Sequence, residues 1–255
     1  MKINQINKEN NVRDLGGYQS KDGRKIRKGI FFRSGGLYHL NEEELGALKD
    51  QNVKYILDLR ADYEQKRHPD PIVPGTEIIQ HSNTVSKFGE QIDFSPNGMH
   101  QTGEAAVEQL RKLVRYYAAM PFENEALHAL MNAIEQGKTP LLFHCATGKD
   151  RTGVAAMVLL MALNIPEETI LQDYLKSNDY RKNIIDSTLQ EYHDQIEKSP
   201  ELGTLIQMQT GVRREIGQAV LDGIKEKYGS YSNYLIEEYG LDRSRLKRIM
   251  DMYLV

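Results

Sequence analysis

The chain has no tryptophan and a single cysteine, Cys145, in 255 residues. One cysteine can form neither an internal disulfide nor a cysteine-rich metal site, so a disulfide scaffold and a cysteine-rich zinc module are both excluded. No metal is expected. A reducing, cytoplasmic setting is expected for the sequence as it stands. The opening MKINQINKENN has no apolar core, so secretion would require a signal peptide removed from upstream. Long hydrophobic runs are also missing. The longest, Val154 to Ile165 with Asn164 inside it, falls short of the roughly 20 apolar residues that a bilayer crossing needs. Stable membrane insertion is therefore not expected. Neither sign of charge dominates: the net charge is −3 and no extended basic block occurs, which argues against nucleic acid as a partner. No internal repeat or low-complexity segment is visible. Hydrophobic residues at 40% and charged residues at 27% are ordinary for a globular chain with a sizeable core.

The elements read from the pattern alternate between strand and helix. Glycines at 16, 17, 23, 29, 35 and 36 imply short strands and tight turns. Asn41 before Glu42, Glu43 and Glu44 is a helix start with an N-cap and an acidic first turn. Val53 to Leu59 is an apolar strand, and Thr76 to His81 a weaker one. Residues 82–103 are polar and glycine-containing, and a long loop or lid is expected there. From Glu104 a helix is expected to bury Val107, Leu110, Val114 and Tyr117. Pro121 interrupts it. A second helix buries Leu127, Leu130, Met131 and Ile134, and Gly137 ends it. "TPLLFHC" suits a strand covered on both faces, and "RTGVAAMVLLMALN" a helix buried all round. Residues 166–255 read as helical, with stripes at Ile216, Val220, Ile224 and Tyr228 and at Leu246, Ile249, Met250 and Tyr253. The expectation is one α/β domain over 1–255, with a central, mostly parallel sheet flanked by helices. Helical lid elements are expected within about 82–136 and a helical extension over about 166–255.

The lone cysteine lies in "LLFHCATGKDRTGV", between an apolar strand and a buried helix. A loop feeding a helix N-terminus aims backbone N–H groups at one point, where the helix adds partial positive charge, so an anion is cradled there. The same field lowers a thiol's pKa. Cys145 then becomes a thiolate facing a bound oxyanion, the nucleophile of a covalent phosphoryl transfer. Arg151 offers a planar fork for two phosphoryl oxygens. Ala146, Thr147, Gly148, Lys149 and Asp150 form the cradle, Gly148 permitting its tight curve. The Thr152 hydroxyl is placed to steady the sulfur as a leaving group. His144, beside the thiol, is a candidate orienting residue. Asp58 and Arg60, after a buried strand, read as a structural ion pair that could also line the site. Arg13 and Asp14 read as a turn brace, and the basic final helix as a solvated face.

His-Cys, five residues, then Arg-Thr-Gly, as in "HCATGKDRTG", resembles the signature of the cysteine-dependent protein-tyrosine phosphatase superfamily. "NVRDLGG", "FRSGGL" and "DLRADYE" upstream, with "DYLKSN" and "VRREI…YGSYSNYL" downstream, narrow the resemblance to bacterial phosphatases of the secreted tyrosine and lipid phosphatase type. The matching segments are spread over nearly the whole chain. The resemblance implies a phosphatase α/β core with extra lid helices and no cofactor. It implies Cys145 as nucleophile and Arg151 as the phosphate-binding arginine. Its implied substrates are proteins carrying phosphotyrosine, sometimes phosphoserine or phosphothreonine, and phosphoinositides. One departure stands out. Many tyrosine phosphatases take their general acid from a Trp-Pro-Asp loop, which a chain without tryptophan lacks. In this bacterial group the loop aspartate, Asp150, is the implied acid, with Asp58, Glu90 and Asp93 as the other carboxylates to weigh. Lys149 is expected to contact substrate, including a second phosphate on an inositol ring. Two rival readings stay open at this point: a rhodanese-like sulfur transferase, which also places a cysteine in an arginine-containing loop, and an inactive phosphotyrosine-binding module.

Overall fold

The structure is a computed structural model that describes residues 6–79, 81 and 92–255. Five strands form its sheet: β1 (Arg13–Asp14), β2 (Phe31–Ser34), β3 (Tyr55–Asp58), β4 (Glu77–Ile79) and β5 (Leu141–His144). Their spatial order is β1-β2-β5-β3-β4. Only β1 runs antiparallel to its neighbour; β2, β5, β3 and β4 are parallel. The mostly parallel α/β sheet expected from the sequence is therefore present. β5 takes the centre because it is apolar on both sides, and each face of the sheet is covered. Phe32, Ile56 and Leu142 look into one core with Val12, Leu48 and Val53. Phe31, Leu57, Leu141 and Phe143 look into the other, larger core. Register aligns Ser34 and Asp58 with His144, so three strands end together at one edge. That carboxyl edge is where open α/β sheets place their ligands.

The helices are α1 (Glu42–Asp50), α2 (Asp62–Arg67), α3 (Pro96–Met99), α4 (Gly103–Ala119), α5 (Glu125–Glu135), α6 (Arg151–Ala162), α7 (Glu167–Tyr180), α8 (Lys182–Glu191), α9 (His193–Lys198), α10 (Pro200–Thr210), α11 (Arg214–Tyr228), α12 (Tyr231–Tyr239) and α13 (Arg243–Tyr253). α1 begins on a capping box: Asn41 Oδ1 accepts from the Glu44 amide at 3.0 Å, and Glu44 Oε2 accepts from the Asn41 amide at 3.0 Å. α5 ends where Gly137 adopts φ 74°, a left-handed value that costs glycine little. α6 is buried at every position from Thr152 to Ala162, as an apolar helix without a polar face must be. Residues 166–255 are helical as expected. The final helix holds its basic face with ion pairs, Arg245 and Arg248 to Glu135 and Lys247 to Asp251.

Two readings need correction or restriction. α4 does not bury Val114, which is 40% exposed; its inward face is Ala106, Leu113, Tyr116 and Tyr117. Apolar residues sit side by side at 113–114 and 116–117, so periodicity alone admits both faces, and packing against α10 and α11 selects one. The proposed loop or lid at 82–103 falls partly outside the described residues. Its described part holds α3, whose Met99 is fully buried and which packs on α4 and α10. Among the described residues no helix is long and apolar enough to cross a membrane.

Candidate active site

β5 delivers Cys145 to the edge of the sheet, and α6 starts six residues later at Arg151 with Asp150 as its N-cap. The loop between them is drawn tightly onto the end of β2. Gly148 has φ 70°, and a Cβ there would lie 2.5 Å from Gly35 N and from Ser34 C. Only glycine fits. The carbonyl of Ala146 accepts from the Gly36 amide at 3.0 Å. The amides of residues 146 to 150 donate to no group among the described residues. Five unpaired N–H groups in succession, ending at a helix N-terminus, form a nest for an anion.

Cys145 is buried, 1% exposed. Burial alone would push its thiol up, and Asp150 adds a smaller push the same way. The Arg151 guanidinium, with the hydroxyl and amide of Thr152, outweighs both and holds the thiol below its ordinary value. Thr152 Oγ1 is buried and has no hydrogen bond of normal geometry, so its pull on the sulfur is that of a nearby dipole. Arg151 is fixed from behind. Its Nη1 lies 2.5 Å from Glu64 Oε2 and its Nη2 2.9 Å from Glu64 Oε1, a fork-to-fork pair. Glu64 Oε2 also accepts from the Ala61 amide at 2.9 Å. Burial pushes Glu64 up, but Arg151, with help from Ala61 and Arg60, keeps its carboxyl below the usual range.

Asp150 faces a different set of groups. Lys149 Nζ lies 2.6 Å from Asp150 Oδ2 and donates to the Met208 carbonyl at 2.8 Å. The Lys149 side chain is only 4% exposed, so its ammonium is directed toward α10. Tyr117 and Tyr174 flank the same carboxylate; burial first, then Asp150, push both phenols up. Arg181 is buried and has no carboxylate partner among the described residues; its Nε donates to the Thr210 carbonyl at 2.6 Å. Burial lowers its pKa, while Asp150, Glu9 and Cys145 work against that, so its charge is felt in the site.

Behind Cys145, His144 is fully buried. Its Nε2 lies 3.1 Å from Asp70 Oδ2, in poor alignment for a hydrogen bond, and its Nδ1 lies 3.8 Å from Asp58 Oδ1. Burial would lower the imidazole pKa, but Asp70 and Asp58 raise it above the ordinary value. Asp70, raised by burial, is brought below the usual carboxylate range chiefly by His144. Arg60 Nη2 sits 2.7 Å from both Asp58 and Asp70. The ligand-type atoms of Asp58, Asp70 and His144 lie within 4.8 Å of one another, but Arg60 already supplies their counter-charge.

Of the residues singled out from the sequence, Cys145 to Thr152 fall into one loop and the first turn of α6, with His144, Asp58 and Arg60 as its backing. Asp58 and Arg60 form the expected ion pair. Asp14 braces a turn, taking the amides of Gly16 and Gly29 at 2.8 Å each, whereas Arg13 reaches Asp173 instead. Of the other carboxylates weighed as acid, Asp93 is exposed and accepts from the nearby Ser95 amide at 2.8 Å, Asp58 is held by Arg60, and Glu90 lies outside the described residues. Three residues at the site carry no expectation from the sequence: Glu64, Asp70 and Arg181. Glu64 lies inside "DLRADYE", where an acidic residue three positions after Ala61 reads only as a helix start.

The chain belongs to the tyrosine phosphatase family, whose family model matches residues 4–255. It is a protein-tyrosine phosphatase, an enzyme of the phosphoric monoester hydrolase class, and that sets the rhodanese-like reading aside. A Cupriavidus necator protein assigned as a tyrosine-protein phosphatase is 29% identical over 241 residues, 93% of this chain and 84% of that one. The triple specificity protein phosphatase PtpB of Mycobacterium tuberculosis is 27% identical over 260 residues, 90% of this chain and 92% of its own. A tyrosine-protein phosphatase of Nostoc commune is 25% identical over 233 residues, 86% and 72% of the two chains.

Proposed function

We propose that the enzyme works through a phosphocysteine and accepts a broad range of phosphomonoesters. The observation that carries this reading is the low thiol of Cys145 at the floor of five unpaired amides, closed by Arg151. In the first step Cys145 Sγ attacks phosphorus. The Sγ–P bond forms, the P–O bond to the leaving group breaks, and the leaving oxygen takes a proton from Asp150. In the second step water attacks phosphorus and gives a proton to the Asp150 carboxylate. The Sγ–P bond breaks, releasing phosphate and the thiolate. Amides 146 to 150 and the Arg151 N–H groups that Glu64 does not take meet the three equatorial oxygens where charge builds. Thr152 steadies the departing sulfur, and His144 with Asp58 and Asp70 backs the loop.

Lys149 enters this reading in a changed role. Buried between Asp150 and Met208, it is suited to holding the acid in place rather than to meeting a second phosphate. The proposed substrates are phosphotyrosine proteins, phosphoserine and phosphothreonine proteins, and phosphoinositides. The name of the Mycobacterium tuberculosis relative, a triple specificity phosphatase, supports that breadth, and the charge of Arg181 favours anionic substrates. We read the chain as one phosphatase domain over 1–255, with α3 to α5 and the helices after 166 as additions to its core.

The test is trapping of radiolabelled phosphate on the protein during turnover by a rapid denaturing quench at neutral to alkaline pH, with Cys145→Ser alongside. Label on the wild type and none on the variant, which should still bind vanadate, is the expected result. Turnover by Cys145→Ser above about a hundredth of the wild-type rate, against enzymic accelerations that begin near a millionfold, would sink the mechanism. A panel of phosphopeptides and phosphoinositides decides the breadth.

A further inference from the structure

The amides of the cradle are useful only if they point at the phosphoryl group, and side chains far away in sequence govern that. A trans peptide is planar, with its C=O and N–H aimed in opposite directions; Thr139–Pro140 is the only cis bond among the described residues. The carbonyl of Gly148 accepts two bonds, from Asn11 Nδ2 at 2.8 Å and from Arg33 Nη2 at 2.9 Å. The N–H of the same peptide, that of Lys149, is thereby turned the other way. The Gly36 amide treats the Ala146 carbonyl alike and so turns the Thr147 N–H.

The two donors on Gly148 are themselves locked. Asn11 is fully buried and sits at φ 56°. Its Oδ1 accepts from Arg13 Nη1. Arginine can only donate, so this contact sets the amide's orientation and leaves Nδ2 to face Gly148. Arg13 Nε is 3.0 Å from Asp173 Oδ1, and Arg33 Nη1 is 2.6 Å from Asp173 Oδ2. Tyr18 donates to Asp173 Oδ1 at 2.9 Å. All of these groups except Tyr18 are buried. One carboxylate from α7 thus pairs with two buried arginines and aims both. Four segments that lie far apart in sequence, at 11–13, 33, 148 and 173, are thus joined in one network, and two of them, through Asn11 and Arg33, donate to the Gly148 carbonyl.

We propose that Asn11 and Arg33, locked by Asp173, are positioning residues for catalysis: they hold the Gly148–Lys149 peptide with its N–H facing the transferred phosphoryl group. This rests on the phosphatase reading and extends it to residues that touch no substrate. A network that only filled space would stabilise the fold without setting oxyanion affinity.

Two variants separate these roles. Asn11→Gly deletes the side-chain amide and keeps the left-handed backbone, which glycine adopts freely. Asn11→Asp keeps the shape and the contact with Arg13 but presents an acceptor, not a donor, to Gly148. Asn52→Gly, at the exposed φ 56° position of Asn52, is the control. Each would be assayed for p-nitrophenyl phosphate turnover, vanadate inhibition, Cys145 alkylation against pH, and melting. Both Asn11 variants should lose about tenfold or more in vanadate affinity and in kcat, with KM changing less, while Asn52→Gly behaves as wild type. Folded Asn11 variants whose vanadate inhibition stays within about twofold of wild type would overturn the proposal. If the variants do not fold, amide spectra of 15N-labelled wild type decide. On adding vanadate the Thr147 and Lys149 amides should shift most, and their staying unmoved while vanadate binds overturns the proposal. Wild type that neither turns over the ester nor binds vanadate would instead remove the phosphatase reading itself, and this inference with it.

Discussion

Arg151 grips Glu64 with both terminal nitrogens, at 2.5 and 2.9 Å, and the two residues stand 87 positions apart in the chain. The grip leaves the guanidinium one rigid orientation over Cys145. Glu64→Gln keeps the size but can return only one acceptor oxygen, so the fork is held at one point. A hydrogen bond to a charged group contributes about 1.5–3 kcal/mol, so kcat/KM for p-nitrophenyl phosphate should fall by roughly 10–100-fold. Arg151→Lys should fare no better, because an ammonium cannot match the fork. Wild-type kinetics in Glu64→Gln would show that the pair does not position Arg151.

The low thiol of Cys145 can be titrated directly. The rate of alkylation by iodoacetamide follows the thiolate, so its midpoint should lie below the ordinary ~8.5 of a cysteine. Arg151 is the leading group that lowers it, so Arg151→Met should move the midpoint upward. A wild-type midpoint at or above ~8.5 is incompatible with the charge arrangement described.

His144 and Asp70 give stability a pH dependence. His144 is raised above its ordinary 6.5. Its contribution is complete below that value and is lost as pH rises through the higher folded pKa. Asp70 is lowered below 3.8. Its contribution is complete above that value and is lost as pH falls through the lower folded pKa. Both terms are therefore complete between about 4 and 6.5. Asp70→Asn should destabilise most in that window and less at pH 9. Urea midpoints across this range check it; a deficit that does not change with pH would count against the pair.

Asp150 and Lys149 are separated by leaving-group dependence. Expelling a phenolate, whose conjugate acid has a pKa of ~10, needs a proton donor, and general acid help is typically worth about 10²–10⁴-fold. Asp150→Asn should slow phenyl phosphate strongly and barely slow an ester whose leaving group is a weak base. Lys149→Met removes the ammonium that holds Asp150 and should show the same pattern more weakly. Equal slowing of both esters in Asp150→Asn would make Asp150 a scaffold residue, and stronger loss on polyphosphorylated inositides in Lys149→Met would return Lys149 to substrate contact.

Much of this protein was legible from contiguous residues. A cradle of backbone amides needs only a strand, a glycine-bearing turn and a helix start in immediate succession, and residues 141 to 154 contain all three. The buried strand and helix on either side follow from unbroken apolar runs, and the alternation of such segments implies a parallel sheet. Packing decided what local pattern left degenerate. Leu113 or Val114 could each face inward on α4, and only contact with α10 and α11 chose Leu113. The direction of a long side chain is likewise a tertiary matter. Lys149 beside a phosphate cradle reads as a substrate contact until the Met208 carbonyl, 59 residues further on, is found accepting from it. Glu64, Asp70, Arg33 and Asp173 carry no local signature, since a carboxylate or arginine in a turn or helix looks the same whether solvated or paired. Each has a partner far off in the chain, up to 160 positions for Asp173 and Arg13. Burial without water is what forces each of them to find an opposite charge, and the sheet and helices alone determine which charge lies within reach.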